Sequence, residues 1–241
     1  RIRPLNPILT VIPANPLLGT LLHAIGAMSA AVCYTPQKAT RNWSWQTYWL
    51  AQASVCWLVL PVLVAWLTIP ELATVLHEAP REAMGRTFLL GALYGIGGTA
   101  FGLAIRWIGF SLTYAIAIGI SCVLGTLLPP LVSGQLHDVF GRTGGTWVMD
   151  GIAIGAVGIL LSRWAGRNKE VDLGGAQPGF DLRKGLLLSI LAGVLSAVYG
   201  FSLAAGQPLA DTAARHGAGV FEGNVIYIFA NSGAFLTTAV Y

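Results

Sequence analysis

Charge is what this sequence lacks most. Of 241 residues, 10% are charged and 55% are hydrophobic, where a soluble domain carries about 25% charged residues. So few charges cannot cover a water-facing surface, which excludes a soluble globular domain. Cysteine is also sparse: the three thiols, Cys33, Cys56 and Cys122, fall in apolar runs and form no CxxC. That excludes a disulfide framework and a zinc ribbon and leaves them as small apolar residues. No GxxxxGK[ST], GxSxG or HExxH is present, so no nucleotide-driven pump and no familiar intramembrane hydrolase is encoded. His77, His137 and His216 stand apart in the sequence with no metal-ligand spacing. Neither a cofactor nor a metal is expected. The net charge of +4 comes from Lys and Arg in short segments between apolar runs. That is topology-setting charge rather than a nucleic-acid surface.

What is present is a series of long apolar runs. The expected fold is an all-α polytopic membrane protein with about seven spans, at 17–36, 47–69, 87–107, 112–132, 146–164, 185–206 and 224–241. Each approaches the ~20 residues a helix needs to cross the hydrocarbon layer, and runs of this length suit helices rather than barrel strands. The first residue is Arg1 and the last run is cut at Tyr241, which predicts a portion of a longer protein. Residues 1–16 carry four prolines and no signal-peptide pattern.

Orientation follows from Lys and Arg on alternate sides. One side collects Lys38, Arg41, Arg106, Arg163, Arg167, Lys169, Arg183 and Lys184. The other collects Arg81, Arg86, Arg142 and Arg215, with Arg1 and Arg3. Eight against six predicts an N-terminus outside and segment 165–184 in the cytoplasm.

Small residues form two motifs. Gly91, Gly95, Gly98 and Gly102 share one helix face, and Gly151, Gly155 and Gly158 repeat the device. Such faces let helices approach closely, as a static bundle contact or as a sliding surface. A GxxSA pattern occurs at Gly26–Ala30 and again at Gly193–Ala197. Five crossings lie between the copies, so they would run in opposite directions, the plan of an inverted repeat.

The polar residues in these runs are the candidate chemistry. His23 is the only imidazole in a span and titrates near neutrality. It reads as a proton carrier, or as a neutral ring bonded to a carbonyl. Asp150 is the only carboxylate within an apolar run, an ion-path residue or one reaching interfacial water. Tyr34 shares a helix face with His23 and reads as a stacking residue or an interfacial anchor. Asn224 and Asn231 on the last run read as hydroxyl-binding amides or as interhelical hydrogen bonds. Trp43, Trp45 and Trp49 beside Lys38 and Arg41 read as an aromatic belt.

Several segments carry a resemblance to a known family. They are His23–Ala27 with Ser29–Ala31, Tyr34 and Pro36; Trp43–Trp45 with Thr47, Trp49 and Leu60–Pro61; Gly91–Ala92, Gly95–Gly97, Gly102–Leu103, Arg106 and Gly109; Ile116–Ile120 with Gly125–Leu127 and Pro130; and Leu182–Leu186 with Ser196–Ala197. In order and spacing the chain resembles the L-rhamnose–proton symporter family of the drug/metabolite transporter superfamily, over about residues 17–213. The resemblance implies ten spans in a 5+5 arrangement, of which seven are present: residues 17–164 as a first half, 165–184 as a cytoplasmic loop, and 185–241 as the start of a second. It implies a secondary active transporter taking up a small sugar with a proton across an inner membrane, and not an enzyme. The sequence is silent on oligomeric state.

The chain departs from the family at Gly97–Gly102. It reads GGTAFG where the family pattern reads GNINYG, so Thr99 stands in a changed stretch as a further candidate substrate contact. That departure keeps a second expectation open, another carrier of the superfamily that exports or exchanges a small metabolite.

Overall fold

A computed structural model describes residues 15–32, 36, 40, 42–172 and 180–241. Most of the described residues are helical, with no strand among them. The helices are α1 (Pro16–Val32), α2 (Trp45–Ala53), α3 (Leu60–Thr68), α4 (Leu72–Glu78), α5 (Arg81–Ile108), α6 (Phe110–Val132), α7 (Leu136–Gly141), α8 (Gly145–Asp172), α9 (Leu182–Ala205), α10 (Gln207–Arg215) and α11 (Asn224–Val240). They fall into two compact units, Arg1–Ala51 and Gln52–Tyr241.

Within the first unit, local chemistry starts both helices. The Asn15 side chain accepts from Leu18 N–H at 3.0 Å ahead of Pro16, pairing a side-chain cap with a proline at the first helical position. Ser44 receives Thr47 N–H at 3.1 Å in the same way, and the Trp45 and Trp49 rings stack at 5.2 Å.

In the second unit α5 is the central helix. It packs along both α9 and α11; α9 also lies on α6, and α6 on α8. Small residues make these contacts possible. A Cβ on Gly91 would overlap the Ala230 carbonyl of α11, and one on Gly95 would overlap Ala234 and Thr237. Gly233 of α11 meets the backbone of Phe88 and Ala92 in return. On α9, a Cβ at Gly193 would lie 2.8 Å from the Ala117 carbonyl of α6. Hydroxyls tie the same helices together: Ser202 donates to the Thr87 carbonyl at 2.7 Å and Thr237 to the Ala92 carbonyl at 3.1 Å. Close backbones and hydroxyl bonds are what hold helices together where lipid removes any hydrophobic drive.

The distribution of side chains is inverted relative to a protein in water. The interior holds Ala100, Ala104, Ala192, Ala230 and Ala234, whereas Trp66 (67% exposed), Leu89 (65%) and Ile154 (72%) point outward. Lipid is the solvent in which that arrangement is favourable.

Two local features position side chains used below. Pro61 has no N–H to give the carbonyl four residues back. The ladder just before it widens into a π-helical turn at Ser54–Val59, where Leu60 N–H bonds the Val55 carbonyl. The corner between α5 and α6 is the single residue Gly109 at φ 82°, a conformation glycine adopts without a Cβ clash. At one end of the unit, α4 and α10 form an apolar cap in which Val75, Leu209, Ala213 and Val225 are fully buried.

Among the described residues five helical stretches are long and apolar enough to cross a membrane: Trp45–Thr68, Arg81–Ile108, Phe110–Val132, Gly145–Asn168 and Leu182–Arg215, the last including α10. Of the first and seventh expected runs, the described parts are α1 and α11, 17 residues each. Helices also extend past the apolar runs. α5 begins at Arg81, six residues before the run, because Pro80 starts it and the Glu82–Arg86 pair at 2.6 Å supports its first turns. α8 continues beyond residue 164 to Asp172, so the hydrophilic segment expected as a loop begins as helix.

Candidate functional site

Four side chains converge between α5, α9 and α11. Trp57, in the π-turn, lies 5.8 Å from the Tyr94 ring of α5, and Tyr94 lies 4.4 Å from the Tyr199 ring of α9. The Tyr199 hydroxyl donates to Asn231 Oδ1 of α11 at 2.5 Å. The sequence places them there through its glycines: the approach of Gly91 to Ala230 brings the next residue, Asn231, up to α9. All four side chains are half-buried. Among the described residues no hydrogen bond uses Asn231 Nδ2, so its two amide hydrogens are available to a ligand oxygen. Aromatic faces beside an oriented amide form a surface suited to a molecule with one apolar face and hydroxyls at its edge.

The sequence candidates distribute as follows. Asn231 joins this cluster. Asn224, at the start of α11, donates to the Thr68 hydroxyl at 2.9 Å, fastening α11 to the end of α3. Thr99 is buried and its hydroxyl bonds the Gly95 carbonyl of its own helix at 3.2 Å. It lines a separate, largely apolar crevice of about 470 Å³ with Leu103, Leu188, Leu191 and Tyr241. Asp150 is on an exposed face of α8, whose packing neighbour is α6. His23 sits midway along α1 in the other unit. Tyr34 lies outside the described residues.

The glycine faces differ from one another. Gly91 and Gly95 meet α11, Gly102 is buried and Gly98 half-buried, while a Cβ added at Gly97, outside the chosen face, would lie 2.8 Å from Leu195 of α9. On α8 the expected close approach is absent at Gly151 and Gly158, where an added Cβ meets nothing within 4 Å. At Gly155 it meets only Val123 at 3.6 Å. Spacing identifies a face but not whether a helix covers it.

Trp57, Tyr94 and Tyr199 were not singled out from the sequence as ligand contacts. The available signals were indirect: Pro61 four residues after Trp57, glycines on either side of Tyr94, and Tyr199 just after the second GxxSA.

At the α4–α10 cap, His216 ties the two helices together. His216 Nε2 donates to Glu78 Oε2 at 2.9 Å and its Nδ1 lies 3.7 Å from Glu71 Oε2. The His216 hydrogen bond is the main reason the Glu78 carboxyl lies below the ordinary carboxylate range, with Arg215 and His77 adding smaller attractions. A carboxyl held low stabilises the fold above its unfolded value, about 4.3, and that contribution disappears as pH falls through the lowered value. Glu78→Gln is therefore expected to lower the melting temperature at pH 7, with the gap to wild type closing in strongly acid buffer. Thermal unfolding of the detergent-solubilised protein across pH checks it. At the other end, Asp181 caps α9 by accepting Lys184 N–H at 2.9 Å, which holds its carboxyl low. Lys184 also sits 4.7 Å above the Trp107 ring.

A family model described as L-rhamnose-proton symport protein matches residues 13–237. Among curated proteins, the L-rhamnose-proton symporter of Mannheimia succiniciproducens is 36% identical over 201 residues, 83% of this chain and 58% of that protein. The one from Cronobacter sakazakii is 38% identical over 200 residues, with the same coverage. That from Pectobacterium atrosepticum is 36% identical over 203 residues, 84% of this chain and 59% of the relative. The chain thus spans less than two thirds of the length of these relatives. No solved structure matches it.

Proposed function

Because this chain belongs to the L-rhamnose-proton symport protein family and is a multi-pass membrane protein, we propose that it forms part of a secondary transporter. That transporter takes up an L-rhamnose-like sugar with a proton by alternating access. The observation that carries the site assignment is the cluster of Trp57, Tyr94, Tyr199 and Asn231 between three helices. A deoxyhexose has one face of C–H bonds and a methyl group, which suits the rings. Its hydroxyls suit the free amide hydrogens of Asn231.

His23 is the proposed proton-coupling residue, with Asp150 as a second candidate and Tyr34 as a further substrate contact. Residues 17–164 and 185–241 are proposed as one half and the start of another in an inverted 5+5 repeat joined by 165–184. The copies of GxxSA at 26–30 and 193–197 support this. The end of the molecule that carries Arg106, Arg163, Arg167, Arg183 and Lys184 is proposed to face the cytoplasm of an inner membrane, with the N-terminus outside.

A second reading, another carrier of the superfamily that exports or exchanges a small metabolite, is favoured by one observation. The altered stretch 97–102 places buried Thr99 against an apolar crevice, with its hydroxyl bonded to its own helix.

Uptake of labelled sugars by cells expressing the full-length protein separates the two readings. L-rhamnose accumulation that other hexoses do not match supports the first, and none above background refutes it. His23→Gln is expected to reduce accumulation at least tenfold while leaving downhill exchange measurable. Full proton-driven accumulation in that variant would refute the His23 assignment.

A further inference from the structure

At the end of the bundle where α8 finishes and α9 starts, a crevice of about 580 Å³ is lined by three arginines, Arg163, Arg167 and Arg183. Arg163 and Arg167 are one helical turn apart on the same face of α8, and Arg183 is the second residue of α9. Among the described residues none of the three guanidinium groups has an ion pair or hydrogen-bond partner, although the backbone N–H of Arg183 bonds the Asp181 carboxylate. The neighbouring acid, Asp181, is engaged by Lys184 at 3.2 Å. The remaining wall is apolar: Trp164, Leu160, Leu182 and Leu186. Trp164 and Leu160 are more than 60% exposed, on the surface that faces lipid.

Among the described residues three guanidinium groups converge here without a protein anion, which suits a phosphate oxygen fork. Its leucine and tryptophan wall opens toward hydrocarbon and distinguishes it from a site for a soluble ion. The aromatic residues at this end, Trp164 beside the arginines and Trp107 under Lys184, lie where such rings mark the headgroup level. We infer that this crevice binds the phosphate headgroup of an anionic phospholipid, with the acyl chains lying along Leu160, Leu182 and Leu186. Basic pockets between helices near a membrane surface have the chemistry for this role. The inference stands independently of which solute is transported.

The test is native mass spectrometry of the full-length protein in neutral detergent. The protein is titrated with phosphatidylglycerol or phosphatidylcholine, with and without inorganic phosphate. Wild type is expected to retain phosphatidylglycerol in preference to phosphatidylcholine. Each arginine replaced in Arg163→Gln, Arg167→Gln and Arg183→Gln should reduce that retention about five-fold. Arg142→Gln, in a segment expected on the opposite membrane side, should leave it unchanged, and phosphatidylcholine retention should not respond to any of them. Equal retention of the two lipids by wild type would overturn the proposal, as would displacement of phosphatidylglycerol by millimolar phosphate, which identifies a soluble-anion site instead. Should the glutamine variants fail to fold, raising salt to 0.5 M on the wild type replaces them. The lipid preference is expected to collapse, and a preference indifferent to salt overturns the inference.

Discussion

Replacing Gly91 with alanine is expected to destabilise the protein by about 1–3 kcal/mol, the usual cost of forcing an extra methyl into a filled contact; leucine there is expected to prevent assembly. The obstacle is backbone. A Cβ at Gly91 would overlap the carbonyl of Ala230, and no rotamer change relieves a clash with a main-chain oxygen. α5 and α11 would have to separate. Asn231 follows Ala230 directly, so the same displacement would pull its amide away from Tyr199 and reduce transport along with stability. Gly151→Ala supplies the contrast. An added Cβ there meets nothing within 4 Å, and alanine is the better helix former by about 1 kcal/mol. Its melting temperature is expected to stay level or rise. Thermal unfolding of both variants in one detergent reads the difference directly, and equal shifts would contradict the packing described for α5 and α11.

Asn231→Leu is expected to lower sugar uptake at least tenfold, equivalent to about 1.4 kcal/mol. It removes the acceptor for the Tyr199 hydroxyl and the only amide in the aromatic cluster. Tyr199→Phe removes the hydroxyl and keeps the ring against Tyr94. A single interhelical hydrogen bond in a membrane contributes about 0.6 kcal/mol on average, so its effect is expected to be a few-fold. The pair distinguishes a binding role from a bracing one. If Asn231 contacts the sugar, Asn231→Leu raises KM well beyond Tyr199→Phe while the two variants melt within a few degrees of each other. If it only braces α9 against α11, both variants lower the melting temperature and KM stays at the wild-type value.

The helical content and the positions of the apolar helices were readable from the sequence because lipid permits one solution for an uncharged run of about 20 residues. The helix ends were not. Arg81–Arg86 and the residues after Trp164 are charged, and a hydropathy pattern stops at the first charges even where a capping proline or an i,i+4 pair carries the helix further. The face of α5 marked by Gly91 and Gly95 was legible, but the same spacing on α8 faces open space at Gly151 and Gly158. A glycine permits an approach without compelling one.

Amides in apolar runs announced that they would need partners. Their direction was not announced: Asn224 turns to Thr68 of α3 and Asn231 to Tyr199 of α9. The aromatic part of the candidate site was the least legible. Trp57, Tyr94 and Tyr199 are spread over more than 140 residues and meet because of how three helices cross, which no local pattern records. Tyrosine and tryptophan in a hydrophobic run also read equally well as interfacial anchors.

The most direct test of the central claim is L-rhamnose uptake into proteoliposomes holding the full-length protein under an imposed pH gradient, acid outside. The expected result is transient accumulation above the external concentration that a protonophore abolishes and that Asn231→Leu reduces at least tenfold. Equal uptake with and without the gradient, or accumulation undiminished in Asn231→Leu, would contradict it.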